Sequence, residues 1–272
     1  MNTIQCSSNL IGIDSTWLAS VDFNGCPQKI HIGGTRELHH GLFTQLSQCY
    51  AQREAAASFS RYMEDYFELG ATPSVPSTKA HRFKPNYLDL LRAWGFDSNS
   101  PPGAVLKGWV ESRFGLIPLY HKEVLGRFPS PAWVAYLEEK SSSRFHDSVI
   151  ALQLDALYEY CQWSLRRFRC IEETHIRLWR GIRDADGQFR TGLDERKKQI
   201  VDLNNLVSFS ESPERAEEFG EWIVEADIPL AKILFYPGML ADSVLSSERE
   251  FLVIGGQFSA KVHRGYVDPD AD

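Results

Sequence analysis

Residues 147–181, DSVIALQLDALYEYCQWSLRRFRCIEETHIRLWRG, contain the change of hydrophobic period on which the fold turns. From about residue 147 to 169, Ile150, Leu154, Leu157, Cys161, Leu165 and Phe168 recur at gaps of 4, 3, 4, 4 and 3. That spacing predicts an α-helix with one stripe facing the core. From residue 171 the pattern shortens. HIRLWRG, IVDLNNLVSFS, EWIVEADI, AKILFYPG, EFLVIGG and FSAKVHRGY are short β-rich runs separated by Gly, Pro, Asp and Ser. One helix is predicted between them, with Ser212 as N-cap, Pro213 at the first helical position and Gly220 after the last turn.

Toward the N-terminus, residues 37–67 are rich in helix formers, and YLDLLRAW spaces Leu88 and Leu91 as a short amphipathic helix does. Gly33-Gly34 reads as a turn before the first of these helices. Between them ATPSVPSTKAHRFKP, residues 71–85, holds three prolines and reads as a surface loop. Helices followed by strands make an α+β fold. Residues 1–272 are read as a single domain, about 1–170 mainly helical and about 171–272 β-rich.

At 272 residues and 43% hydrophobic, the chain can bury a substantial core. Its 29 basic and 36 acidic residues leave a net charge of −7, opposed to nucleic-acid binding by counterion release and suited to a cationic protein partner. No run approaches the roughly 20 apolar residues of a membrane span, and MNTIQCSSNLIGID does not read as a signal peptide. A soluble, cytoplasmic protein is expected. Five scattered cysteines without a C-x-x-C pair read as free thiols. The eight histidines, among them His39, His40 and His121, lack metal-ligand spacing and read as surface or satisfied core residues. No bound metal is predicted. H-E-x-x-H, G-x-S-x-G, P-loop and dinucleotide glycine motifs are all absent.

Three features on the strand-like runs carry chemistry. Alternation in HIRLWRG puts Arg180 on one face with Ile176 and Leu178, where it needs either an internal ion-pair partner or a phosphate for its fork. Ser208 and Ser210, two apart at the end of a strand, point the same way and suit either carboxylate positioning or the turn into the next helix. Glu248 and Glu250 share a side before FLVIGG, as a charged strand edge or as paired carboxylates. Like charges side by side are costly and are better understood where a cationic group binds between them. Paired carboxylates suit a reaction at a sugar carbon through an oxocarbenium-like transition state. With an arginine for a diphosphate, the set describes cleavage of the nicotinamide–ribose bond of NAD.

An arginine ending a strand in W-R-G, a Ser-x-Ser ending a second and a Glu-x-Glu opening a third resemble the R-S-E class of ADP-ribosyltransferases, here Arg180, Ser208 with Ser210, and Glu248 with Glu250. Over nearly the whole chain, NLIGI, NYLDLLRAWGFDSNSPPGAVLKGWVESRFGLIPLYHKE, SPAWVAYLEEKSSSRFH, LDALYEYCQW and LNNLVSFS resemble the dinitrogenase reductase ADP-ribosyltransferases. The resemblance implies a split β-sheet core in the C-terminal part and NAD as co-substrate. It also implies an arginine of dinitrogenase reductase, the nitrogenase iron protein, as acceptor, and a PII signal-transduction protein as regulator. It assigns catalysis to Glu250, acceptor activation to Glu248, and NAD binding to Arg180, Ser208 and Ser210. An aromatic stacking on nicotinamide is expected after Arg180, with Phe189 the candidate and Phe209 and Trp179 competing. Phe209 departs from the threonine common between the serines, and Lys107 and Asn99 have no role readable from the chain. An NAD-sensing module without transfer and an NAD glycohydrolase are the competing functions.

Overall fold

The computed structural model describes residues 9–69, 86–142, 144–169, 172–183, 198–241 and 250–264, and the backbone alone of 189–193. Glu248, the side chain of Phe189, Cys6, Cys170, the predicted loop 71–85 and much of the loop before Glu248 lie outside the described residues.

The helical part comprises α1 (Ser15–Ala19), α2 (Val21–Gly25), α3 (Thr35–Leu38), α4 (His40–Ser47), α5 (Gln52–Phe67), α6 (Tyr87–Phe96) and α7 (Pro101–Phe114). A small ribbon, β1 (Tyr120–His121) and β2 (Glu123–Val124), precedes α8 (Pro131–Ser142) and α9 (Ser148–Ser164). A π-helical turn, Leu165–Arg169, ends α9. Capping follows the local sequence. Asn86, Ser100 and Asp147 each accept a first-turn backbone N–H of α6, α7 and α9, and Gly115 at φ 70° ends α7.

The strands are β3 (His175–Ile182), β4 (Phe189–Leu193), β5 (Gln199–Ser210), β6 (Trp222–Pro229), β7 (Ile233–Phe235) and β8 (Glu250–Arg264), with α10 (Pro213–Glu217) between β5 and β6. They form a six-stranded sheet in the order β4-β5-β3-β6-β8-β7. One edge of β8 pairs β5 from Ser210↔Glu250 to Gln199↔Ala260, while its other edge pairs β7 first and β6 later. β6 pairs β3 throughout, and β3 returns to the end of β5 at Trp179↔Ser210. The sheet is thus divided about β8 and rejoined where Arg180 sits.

The sequence separates EFLVIGG from FSAKVHRGY, yet both belong to β8. Gly256 at φ 111° turns the chain without ending the ladder, opposite a register shift in β5 between Leu203 and Leu206. That irregularity docks the helical part. Asn205 donates to the carbonyls of Lys107 and Leu116, and Asn204 joins the backbone of Leu119 and Tyr120.

The predicted single stripe on α9 is too narrow a description. Polar Gln153, Asp155, Glu159 and Gln162 are buried beside Leu154, Leu157 and Tyr158, because both the sheet and other helices cover α9. Each of the four has at least one partner, although Gln153 Nε2 and Gln162 Oε1 have none among the described residues. Glu159 accepts from Ile32 N, Arg36 and His31, Asp155 from Trp109 and Arg113, Gln153 from Tyr87 N, and Gln162 donates to the carbonyls of Leu230 and Ile233. A single hydrophobic cluster spans α9, the helices around it and the sheet.

Candidate active site

Three strand ends converge where β3 meets β5. Arg180 is the sixth residue of β3, and Gly181 after it lets α10 approach, since a Cβ there would lie 1.9 Å from the Ala216 carbonyl oxygen. Arg180 Nη1 donates to the Ser208 carbonyl at 2.7 Å. The Ser208 hydroxyl donates to Glu250 Oε1, and Glu250, first residue of β8, is 8% exposed. Arg180, Ser208 and Glu250 therefore form one connected group.

Burial pushes the Arg180 guanidinium below its ordinary value, and the Glu250 carboxylate opposes that shift. Arg180 Nε is buried without a hydrogen-bond partner among the described residues. A guanidinium with one edge held by backbone and another unused is suited to receive an anionic group such as a phosphate.

Ser210 takes a different part from Ser208. It faces Glu250 in the strand register, but its hydroxyl accepts Ser212 N at 3.1 Å and shapes the turn into α10. Phe209 points to the other side of β5, is 2% exposed, and packs near Phe258 in the core. It is thereby removed as a nicotinamide-stacking aromatic. Trp179 is partly buried and alternates to the face opposite Arg180.

Two residues near the site carried no readable role in the chain. Trp94 of α6, 4% exposed, donates its indole N–H to Ser208 Oγ at 2.9 Å. Its position in the string LLRAWGF was visible, but its partner 114 residues away was not. Arg169 pairs with Glu211 at the start of the β5–α10 turn and lies 5.2 Å from the Phe251 ring centroid, beside Glu250.

Lys107 and Asn99 belong to a buried cluster behind Trp94. Lys107 Nζ donates to Asn99 Oδ1 at 3.0 Å and to the Tyr120 carbonyl at 3.1 Å, and lies 3.2 Å from His121 Nδ1. Burial lowers the Lys107 pKa to about 8, with Asp97 and Glu139 pulling it upward. His121 is bonded on its other nitrogen to Glu139 and is a satisfied core histidine, whereas buried His39 reaches Tyr62 through Nδ1 and its Nε2 has no hydrogen-bond partner among the described residues.

Among the described residues, no group of three His, Cys, Asp or Glu side chains is arranged to hold a metal ion, and no helix is long and apolar enough to cross a membrane. The family model described as dinitrogenase reductase ADP-ribosyltransferase (DRAT) matches residues 8–262. Over 265 residues the chain is 42% identical to the NAD(+)--dinitrogen-reductase ADP-D-ribosyltransferase of Rhodospirillum rubrum, covering 94% of each chain. No solved structure matches the chain. Arg180, Ser208, Glu250 and Trp94 all fall within the matched span, and the chain belongs to the dinitrogenase reductase ADP-ribosyltransferase family.

Proposed function

We propose that the protein is a mono-ADP-ribosyltransferase that transfers ADP-ribose from NAD to an arginine of dinitrogenase reductase, releasing nicotinamide. Modification inactivates the nitrogenase iron protein and switches nitrogen fixation off. The observation that carries the reading is the Ser208–Glu250 hydrogen bond beside Arg180, within a chain whose relative is named for this donor and this acceptor.

Each residue has a separate task in this reading. Arg180 binds the diphosphate of NAD with the guanidinium edge that the Ser208 carbonyl leaves unused. Ser208 and Ser210 contribute to the NAD site, Ser208 by positioning the carboxylate, and Phe189 stacks on nicotinamide. Glu250 binds the ribose and stabilises positive charge as the C1′–nitrogen bond breaks and its electron pair leaves with neutral nicotinamide. Glu248 orients the acceptor guanidinium and takes its proton as the new C1′–nitrogen bond forms. Residues 1–272 act as a single domain in the cytoplasm, with a PII protein as regulator and the helical part as its docking region.

The test is incubation with labelled NAD and dinitrogenase reductase, followed by mass-spectrometric mapping. The expected result is ADP-ribose on an arginine of the acceptor. NAD bound without turnover would replace the enzyme with a sensor, and ADP-ribose released equally with and without acceptor would make it a glycohydrolase.

A further inference from the structure

Ser208 is where three parts of the chain meet. Its carbonyl accepts from Arg180 of β3, its hydroxyl donates to Glu250 of β8, and its hydroxyl oxygen accepts from Trp94 of α6. A serine hydroxyl has one hydrogen and can rotate among staggered positions, whereas an indole N–H can only donate. With Trp94 occupying a lone pair, the hydroxyl hydrogen is directed to the carboxylate.

Trp94 is itself confined. Asn86 caps the helix that bears it, its ring is almost wholly enclosed, and the Lys107 ammonium lies 5.9 Å from the ring centroid. Lys107 is tethered in turn by Asn99, the Tyr120 carbonyl and His121. A cation near the indole draws on its π-electrons and strengthens N–H donation, as hydrogen bonds in a chain polarise one another.

We propose that Trp94 is a positioning residue for the transferase reaction, its indole N–H fixing the Ser208 hydroxyl so that Glu250 is held in one orientation. This rests on the reading of Glu250 as the carboxylate that stabilises the ribosyl cation. The helical part thereby contributes directly to the order of the catalytic strand ends.

Two replacements remove the N–H while retaining an aromatic ring: Trp94→Phe, and benzothienylalanine at position 94, which also preserves the bicyclic shape. In each, kcat for NAD cleavage should fall about tenfold, with KM for NAD held within about twofold. Adding Trp94→Phe to Ser208→Ala should cause no further fall, because both act through one hydroxyl. Wild-type kcat in the benzothienyl protein, or multiplying losses in the double variant, would overturn the assignment. A readout independent of turnover is the Trp94 indole proton resonance, which should move upfield in Ser208→Ala; an unmoved resonance overturns the contact. Wild-type protein that fails to cleave NAD would overturn the transferase reading instead, and the resonance still decides the contact.

Discussion

Ser208 donates to Glu250 on a diagonal of the β5–β8 ladder, since the residue opposite Ser208 is Leu252 and the residue opposite Glu250 is Ser210. Diagonal neighbours share a face of the sheet and lie within side-chain reach. The closer strand partner, Ser210, uses its hydroxyl on the following turn. Of the two serines, Ser208 is thus the one bonded to the carboxylate.

Glu250→Gln retains shape and an oxygen able to accept from Ser208, but removes the charge. Nicotinamide release and acceptor labelling should both fall by about a thousandfold, the loss typical of removing preorganised transition-state electrostatics. Substantial residual transfer would sink the proposed role.

Glu248→Gln should separate the two outcomes of NAD cleavage. Arginine transfer is lost while hydrolysis by water persists, because only the acceptor guanidinium needs the second carboxylate. Parallel measurement of acceptor label and free ADP-ribose checks this, and equal loss of both would refute the division of labour.

Arg180→Lys supplies a charge without a fork. One ammonium cannot reproduce both the contact to the Ser208 carbonyl and a bidentate grip on a diphosphate. The KM for NAD should rise by roughly tenfold or more, with a smaller change in kcat, while thermal unfolding controls for the fold. An unchanged KM would detach Arg180 from the diphosphate.

Lys232 adds a pH-dependent prediction away from the site. It is fully buried, donates to the Gly255 carbonyl at 3.1 Å, and lies 4.8 Å from the Phe258 ring centroid. Burial lowers its pKa from 10.5 to about 7. Between these values the unfolded chain binds the extra proton, so this residue makes stability rise with pH; below the folded value the cost of burying the charge is fully present. The stability of Lys232→Met relative to wild type should therefore decline as pH rises from about 7 to 10, by about 1.4 kcal/mol per unit at most. Denaturant midpoints at several pH values measure it, and a flat difference would contradict the buried charge.

Local patterns anticipated much of the architecture. The helical period of 147–169, the Ser212–Pro213 start of α10 and the β-rich runs after residue 171 appear as α9 with its π-helical turn, α10 and the strands of the sheet. These signals are legible because side-chain period and capping depend on residues a few positions apart. The continuity of β8 through Gly255 and Gly256 was not, because it depends on β5 lying alongside to receive it. Enclosure of α9 on several sides likewise depends on what packs there.

For the candidate site, the chain by itself determined the residue types and their order: Arg180, then Ser208 with Ser210, then Glu248 with Glu250. Tertiary structure alone decided that Ser208 reaches Glu250, that Ser210 serves the turn, that Phe209 enters the core and that Trp94 completes the contact at Ser208. Alternation assigns residues to faces, but a hydrogen bond needs a donor and an acceptor brought to about 3 Å in line. Only the pairing of β5 with β8 and the docking of α6 against them bring these groups together.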